Sequence, residues 1–141
     1  MNQPSLRPSE RLIGTLLRAS RAVEKRIEDA LEGVELSLSK YSALKHLALA
    51  GEPLALSELA SRLICVRSNI TQLVDRLEAD GLVRRVEDPK DRRSVRAELT
   101  ALGRERQAAG ARQAKAVQDE LAERLAGLDC EAIEQALARL K

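Results

Sequence analysis

Leu56–Thr100 reads LSELASRLICVRSNITQLVDRLEADGLVRRVEDPKDRRSVRAELT. Ser57 stands where a helix cap is expected, and Leu59, Ala60 and Leu63 follow at helical spacing, which predicts a very short helix. A second helix is predicted from about Arg67 to Asp80, closed by Gly81, with Ile70, Leu73, Val74 and Leu77 as its apolar stripe. Leu82–Val86 and Val95–Leu99 are strand-like; in the latter Val95, Ala97 and Leu99 alternate with Arg96 and Glu98. Glu87–Ser94, with Asp88-Pro89 inside it, is the expected hairpin loop.

Working outward, the flanks are helical. Pro8 and Ser9, the latter as cap, precede Leu12, Ile13, Leu16, Leu17, Val23, Ile27, Ala30 and Leu31 at helical spacing, and Gly33 closes that element. A further helix starts near Ser39, buries Tyr41, Leu44, Leu47 and Ala48, and stops at Gly51 with Pro53 just beyond. Downstream, Thr100 caps an alanine-rich helix reaching Ala126 and Gly127, and Asp129 caps a last one built on Ile133, Leu137 and Leu140. The order is α-α-α-α-β-β-α-α: a mainly α chain, with no repeat, no low-complexity linker and no domain boundary over 1–141.

The chain has 141 residues, 44% hydrophobic and 33% charged, a globular composition long enough for one core. One Tyr and no Phe or Trp leave a core of aliphatic side chains and exclude sites built on aromatic stacking. A net charge of +2 excludes a uniformly basic coat for nucleic acid, so any such function must rest on local clustering. Arg84, Arg85, Lys90, Arg92, Arg93 and Arg96 supply that cluster, against Glu87, Asp88 and Asp91. The polar start and the lack of a long apolar run give neither a leader peptide nor a membrane span, and the default location is the cytoplasm. Cys65 and Cys130 are far apart and His46 is the one histidine, too few ligands for zinc; no cofactor is expected.

If the apolar stripe of the 67–80 helix faces the protein, Arg67, Ser68, Asn69, Thr71, Gln72, Asp75 and Arg76 are left outside or at its borders. Arginine pairs with guanine edges, Asn or Gln with adenine, and Ser or Thr with phosphate oxygens. A helix N-terminus adds unpaired N–H groups and partial positive charge. An ordinary solvated helix has similar composition, and an arginine-rich loop can be plain surface. The order decides the reading: a basic hairpin directly after a helix-turn-helix, joined at a tight Gly81 corner, makes a wing that can reach a neighbouring minor groove. Asp91 is expected to pair with a neighbouring arginine and hold the loop in shape.

From about Leu36 to Gly103 the chain resembles the MarR (multiple antibiotic resistance regulator) family of winged helix-turn-helix transcription factors. The wing carries that family's Asp-x-Arg-x-x-x-Val-x-Leu-Thr signature as Asp91, Arg93, Ala97, Leu99 and Thr100, and SELASRL and SNITQLVDRLEADGLVRR resemble it as well. Ala97 stands in place of the signature valine, Ile64 where the turn commonly has Gly, and Val66 where a capping Ser is common. The resemblance implies a homodimeric regulator, usually a repressor, on a near-palindromic double-stranded operator and often released by a small ligand or an oxidant. It places Ser68, Asn69, Thr71 and Gln72 on the recognition helix, Arg93 in the minor groove, and Asp91 as its stabilising partner. With Arg67, Arg76 and Arg92 from the residue chemistry, these form the candidate DNA-binding set.

Residues 36–100 are then the DNA-binding part, and 7–33 with 101–141 the dimerisation helices. Leu12, Leu16, Leu125, Leu128, Ile133, Leu137 and Leu140 would face water in a monomer and are the candidate two-fold interface; folding back within one chain is the competing account. Tyr41 and His46 lie near the cleft where family members often hold aromatic acids, although Tyr41 reads first as a core residue and His46 as an exposed polar one, with a ligand role the lesser alternative. Cys65 reads as packing, and Cys130 as a conceivable but disfavoured intersubunit disulfide. No nucleophile, base and oxyanion site assemble, so an enzyme is not expected. Two other readings are a protein-interaction adaptor on the same fold that no longer binds DNA, and an aromatic-ligand scavenger, which the scarcity of rings disfavours.

Overall fold

A computed structural model describes residues 5–63 and 69–141. The described residues form α1 (Pro8–Glu32), α2 (Leu38–Ala50), β1 (Leu54–Ala55), α3 (Leu56–Arg62), α4 (Ile70–Ala79), β2 (Val83–Asp88), β3 (Asp91–Leu99), α5 (Ala101–Arg124) and α6 (Cys130–Ala138). The expectations for Ile64, Cys65, Val66, Arg67 and Ser68 fall outside the described residues.

Helix ends follow local chemistry more than the apolar pattern. Pro8 takes the first position of α1, where its missing N–H costs nothing, and Arg7 rather than Ser9 precedes it as cap. Ser37 caps α2 by accepting the Lys40 N–H, so that helix starts slightly earlier than the Ser39 expectation. Gly51 ends it with φ +67°, a left-handed conformation that costs glycine little. Ser57 lies inside α3, whose cap is Ala55. The recognition-helix candidate α4 begins at Ile70, later than Arg67, because Asn69 caps it through Oδ1 to the Thr71 N–H at 2.8 Å. Thr100 and Asp129 cap α5 and α6 as expected, while α5 stops at Arg124, short of Ala126.

Two sheet features were not anticipated. The strands run further into the hairpin than Val86 and Val95, so the expected eight-residue loop shrinks to Pro89 and Lys90 between β2 and β3. Asp88 Oδ1 accepts the Lys90 N–H at 2.9 Å, closing the turn early. A third strand, β1, pairs antiparallel with β3 in the order β1-β3-β2, Leu54 facing Ala97. Two residues carry no readable alternation, which is why β1 escaped the pattern.

The core is aliphatic. Leu31, Leu44, Leu59, Leu73, Val74, Leu77, Leu82 and Val83 are buried, joining α1, α2, α3, α4 and the sheet. Each fully buried Leu contributes roughly 2 kcal/mol by leaving water. Ala48, expected inside, is exposed, and Ala43 takes the buried position on α2 instead. Tyr41 packs against α5 at Gly110, where a Cβ would meet its ring at 2.8 Å. That contact, with the Arg26–Glu120 ion pair between α1 and α5, ties the long helices to the central unit.

Candidate nucleic-acid interface

On α4, Leu73, Val74 and Leu77 are buried and Thr71, Gln72, Asp75 and Arg76 are exposed. The 3.6-residue period thus presents one apolar and one polar face. Asn69, also exposed, already spends its side-chain oxygen on the cap, leaving its amide N–H groups for another acceptor. Arg67 and Ser68, the other two candidates here, lie outside the described residues.

The basic hairpin divides into two sets, which charge counting could not distinguish. Arg84 Nε lies 2.6 Å from Glu98 on β3, and Arg96 Nη2 lies 3.1 Å from Asp88. Arg85 Nη2 sits 2.6 Å from Asp75 Oδ1, and its Nη1 3.0 Å from Glu78 Oε1. Those three cations each have a carboxylate partner, Arg84 at the surface and Arg85 and Arg96 partly buried. Lys90, Arg92 and Arg93 are exposed at the wing tip and, among the described residues, form no ion pair.

Asp91 contacts the wing through the backbone instead of through an ion pair. Its Oδ1 accepts the Arg93 backbone N–H at 3.0 Å and so shapes the chain under Arg93; among the described residues it forms no ion pair with an arginine. A short side chain two residues upstream reaches a backbone N–H more readily than a flexible guanidinium. Near the tip of the wing an ion pair is made by Asp88, whose carboxyl is held below the usual range, first by the Lys90 N–H and then by Arg96.

Strand parity explains the Arg85 arrangement. Val83 is buried against the core, and Arg85, two residues on, shares its face and points at α4. Arg84 and Glu98 are cross-strand partners on the other face. Asp75 and Glu78, three apart on α4, lie one above the other, which lets one guanidinium take both. Arg85 was read only as part of a charge cluster; its parity with Val83 was the available signal.

The MarR family model matches residues 36–95. Over 105 residues, 74% of this chain and 67% of the other, the sequence is 35% identical to the HTH-type transcriptional regulator YkoM of Bacillus subtilis. The crystal structure of AbsC from Streptomyces coelicolor, a MarR family transcriptional regulator, superposes with a TM-score of 0.85 at 26% identity, covering 98% of this chain and 95% of that one. The chain belongs to the MarR family. A variant of Escherichia coli MarR complexed with operator DNA has the same fold, with a TM-score of 0.79 at 22% identity over 94% of this chain and 93% of that one. YkoM and AbsC are both named as transcriptional regulators.

In this MarR-family chain the remaining candidates fall in two places. Leu12, Leu125, Leu128, Ile133, Leu137 and Leu140 are exposed, and Leu16 is half-buried. Tyr41 is buried at 8% exposure, and burial raises its phenol's pKa. His46 is half-buried on α2; burial first, then Lys45 and Arg62, lowers its pKa. A cavity of about 330 Å³ opens between the end of α2 and the start of α5, lined by Leu47, Pro53, Leu99, Arg104 and Gln107 among others, but by neither Tyr41 nor His46. No helix among the described residues is long and apolar enough to cross a membrane.

Proposed function

We propose that this protein is a sequence-specific regulator, a homodimeric repressor that reads a palindromic double-stranded operator. In this reading α4 enters the major groove with Asn69, Thr71, Gln72 and Arg76, preceded by Arg67 and Ser68. The wing places Arg93, supported by Arg92, in the adjacent minor groove. The observation that carries the proposal is the selective pairing in the hairpin: Arg84, Arg85 and Arg96 each pair with a carboxylate, whereas Lys90, Arg92 and Arg93, exposed at the tip, form no ion pair among the described residues. An adaptor that no longer binds DNA would not require such a cluster of exposed cations at the wing tip.

Two-fold pairing through the uncovered leucines would set the recognition helices about 34 Å apart, one DNA turn. Residues 7–33 and 101–141 then serve as the pairing arms and 36–100 as the reading head. A small-molecule effector would act by favouring another spacing of the heads, weakening binding by its differential affinity for the two states.

Selection of bound duplexes from a random pool, followed by anisotropy titration of the winning sequence, tests this. An inverted repeat with salt-sensitive affinity is expected; no preference for any duplex would leave the adaptor reading. Arg93→Ala should weaken binding to the selected site by about 1–3 kcal/mol, the scale of a good groove contact. An unchanged affinity would remove the wing from the mechanism. Gln72→Ala should relax sequence preference more than it lowers affinity for random DNA, and a uniform loss would make Gln72 a phosphate contact only.

A further inference from the structure

The face proposed to meet DNA carries three acids, two of which are answered by one arginine. Asp75 lies one turn after Thr71 and beside Arg76 on the exposed side of α4, and its side chain is 59% exposed. Glu78 follows at 43% and Asp80, the cap, at 42%. Carboxylates beside a duplex backbone repel its phosphates, and counter-ion release rewards only cations. Each acid has an intramolecular cation. Lys40 of α2 holds Asp80 at 2.6 Å, and Arg85 holds both Asp75 and Glu78.

Arg85 does more than pair. Its Nη2 also reaches the Thr71 carbonyl at 3.4 Å, and its backbone N–H donates to Glu78 Oε2 at 3.0 Å. One residue of β2 therefore touches α4 from its first turn to its last. With its side chain only 26% exposed, it is set back behind the acids it neutralises. Ala97, fully buried, is its cross-strand partner, so the departure from the family's valine leaves a small neighbour beside the Arg85 stem.

We propose that Arg85 is a positioning residue of the DNA-reading surface: it cancels the charge of Asp75 and Glu78 next to the phosphates and locks the recognition helix to the wing. This rests on the DNA-binding reading above. It adds that the arginine facing away from the groove is needed for the arginine in the groove to work.

The test uses the full chain and the selected duplex, with Arg85→Met, Arg85→Lys, Asp75→Asn and the Arg85→Met/Asp75→Asn double variant. Arg85→Met should lose about tenfold in affinity, equivalent to ~1.4 kcal/mol. Asp75→Asn alone should bind at least as well as the parent. The double variant should regain part of the loss, because one of the two uncompensated carboxylates is gone, although Glu78 stays without its cation and the clasp is not rebuilt. Arg85→Lys, which keeps the charge and loses the fork, should stay within about threefold, ~0.65 kcal/mol, of the parent.

Circular dichroism and the thermal midpoint show whether Arg85→Met folds; if it does not, Arg85→Lys and Asp75→Asn carry the test. Unchanged binding by Arg85→Met overturns the proposal. So does a loss that Asp75→Asn fails to repair in a folded protein, or an Arg85→Lys loss as large as that of Met, since either makes Arg85 a scaffold contact alone. Failure of the parent protein to bind any duplex would sink the DNA-binding reading instead, and is seen separately.

Discussion

Gly103→Ala should destabilise the protein by about 2–3 kcal/mol, the scale of overpacking a tight junction. Helix propensity alone points the other way, since alanine gains up to ~1 kcal/mol over glycine inside a helix. The local geometry outweighs it. A Cβ on Gly103 would lie 1.9 Å from the Leu82 carbonyl oxygen, a backbone atom, and 3.2 Å from Leu99 Cδ2. That carbonyl cannot retreat freely, because it accepts the Thr100 N–H at 3.1 Å. Thr100 in turn donates its hydroxyl to the Gly81 carbonyl at 2.6 Å and caps α5 by accepting the Gly103 N–H at 3.0 Å. The corner between α4 and β2, the end of β3 and the start of α5 meet at this knot. Urea unfolding followed by far-UV circular dichroism measures the effect; an unchanged or raised midpoint would show that the knot yields without cost.

The second large effect concerns pairing of the arms. No residue of α6 is buried within its own chain, yet Ile133 and Leu137 lie one turn apart on one face. Leu12 and Leu140 are 56% and 69% exposed. Under the dimer proposal, Ile133→Asp combined with Leu137→Asp should leave a folded monomer, since the core lies elsewhere. Operator affinity should then fall by about 10²-fold or more, because the second half-site contact is no longer intramolecular. Sedimentation velocity at micromolar concentration reads the first effect, and anisotropy with the selected duplex the second. A variant that stays dimeric would move the interface off α6.

Much of the fold is legible in the sequence. The apolar stripe of α4, the caps at Thr100 and Asp129 and the strand alternation at Val95–Leu99 depend on neighbours within a turn or a strand, and local periodicity carries that information. β1 was not legible, because a two-residue strand exists only through its partner β3. The hairpin's length was misjudged for a related reason: Asp88 closes the turn with a hydrogen bond that no alternation announces.

The candidate site divides along the same line. Sequence alone determined that one helix has a polar face and that a cation-rich hairpin follows it, since residue type and order suffice for both. Only the tertiary structure decided which cations remain available. Arg84 and Arg85 are adjacent in the chain, yet strand parity sends one to Glu98 and the other to α4. Ion pairs act over a few ångströms between residues 10 to 14 positions apart, and only packing brings those distances about.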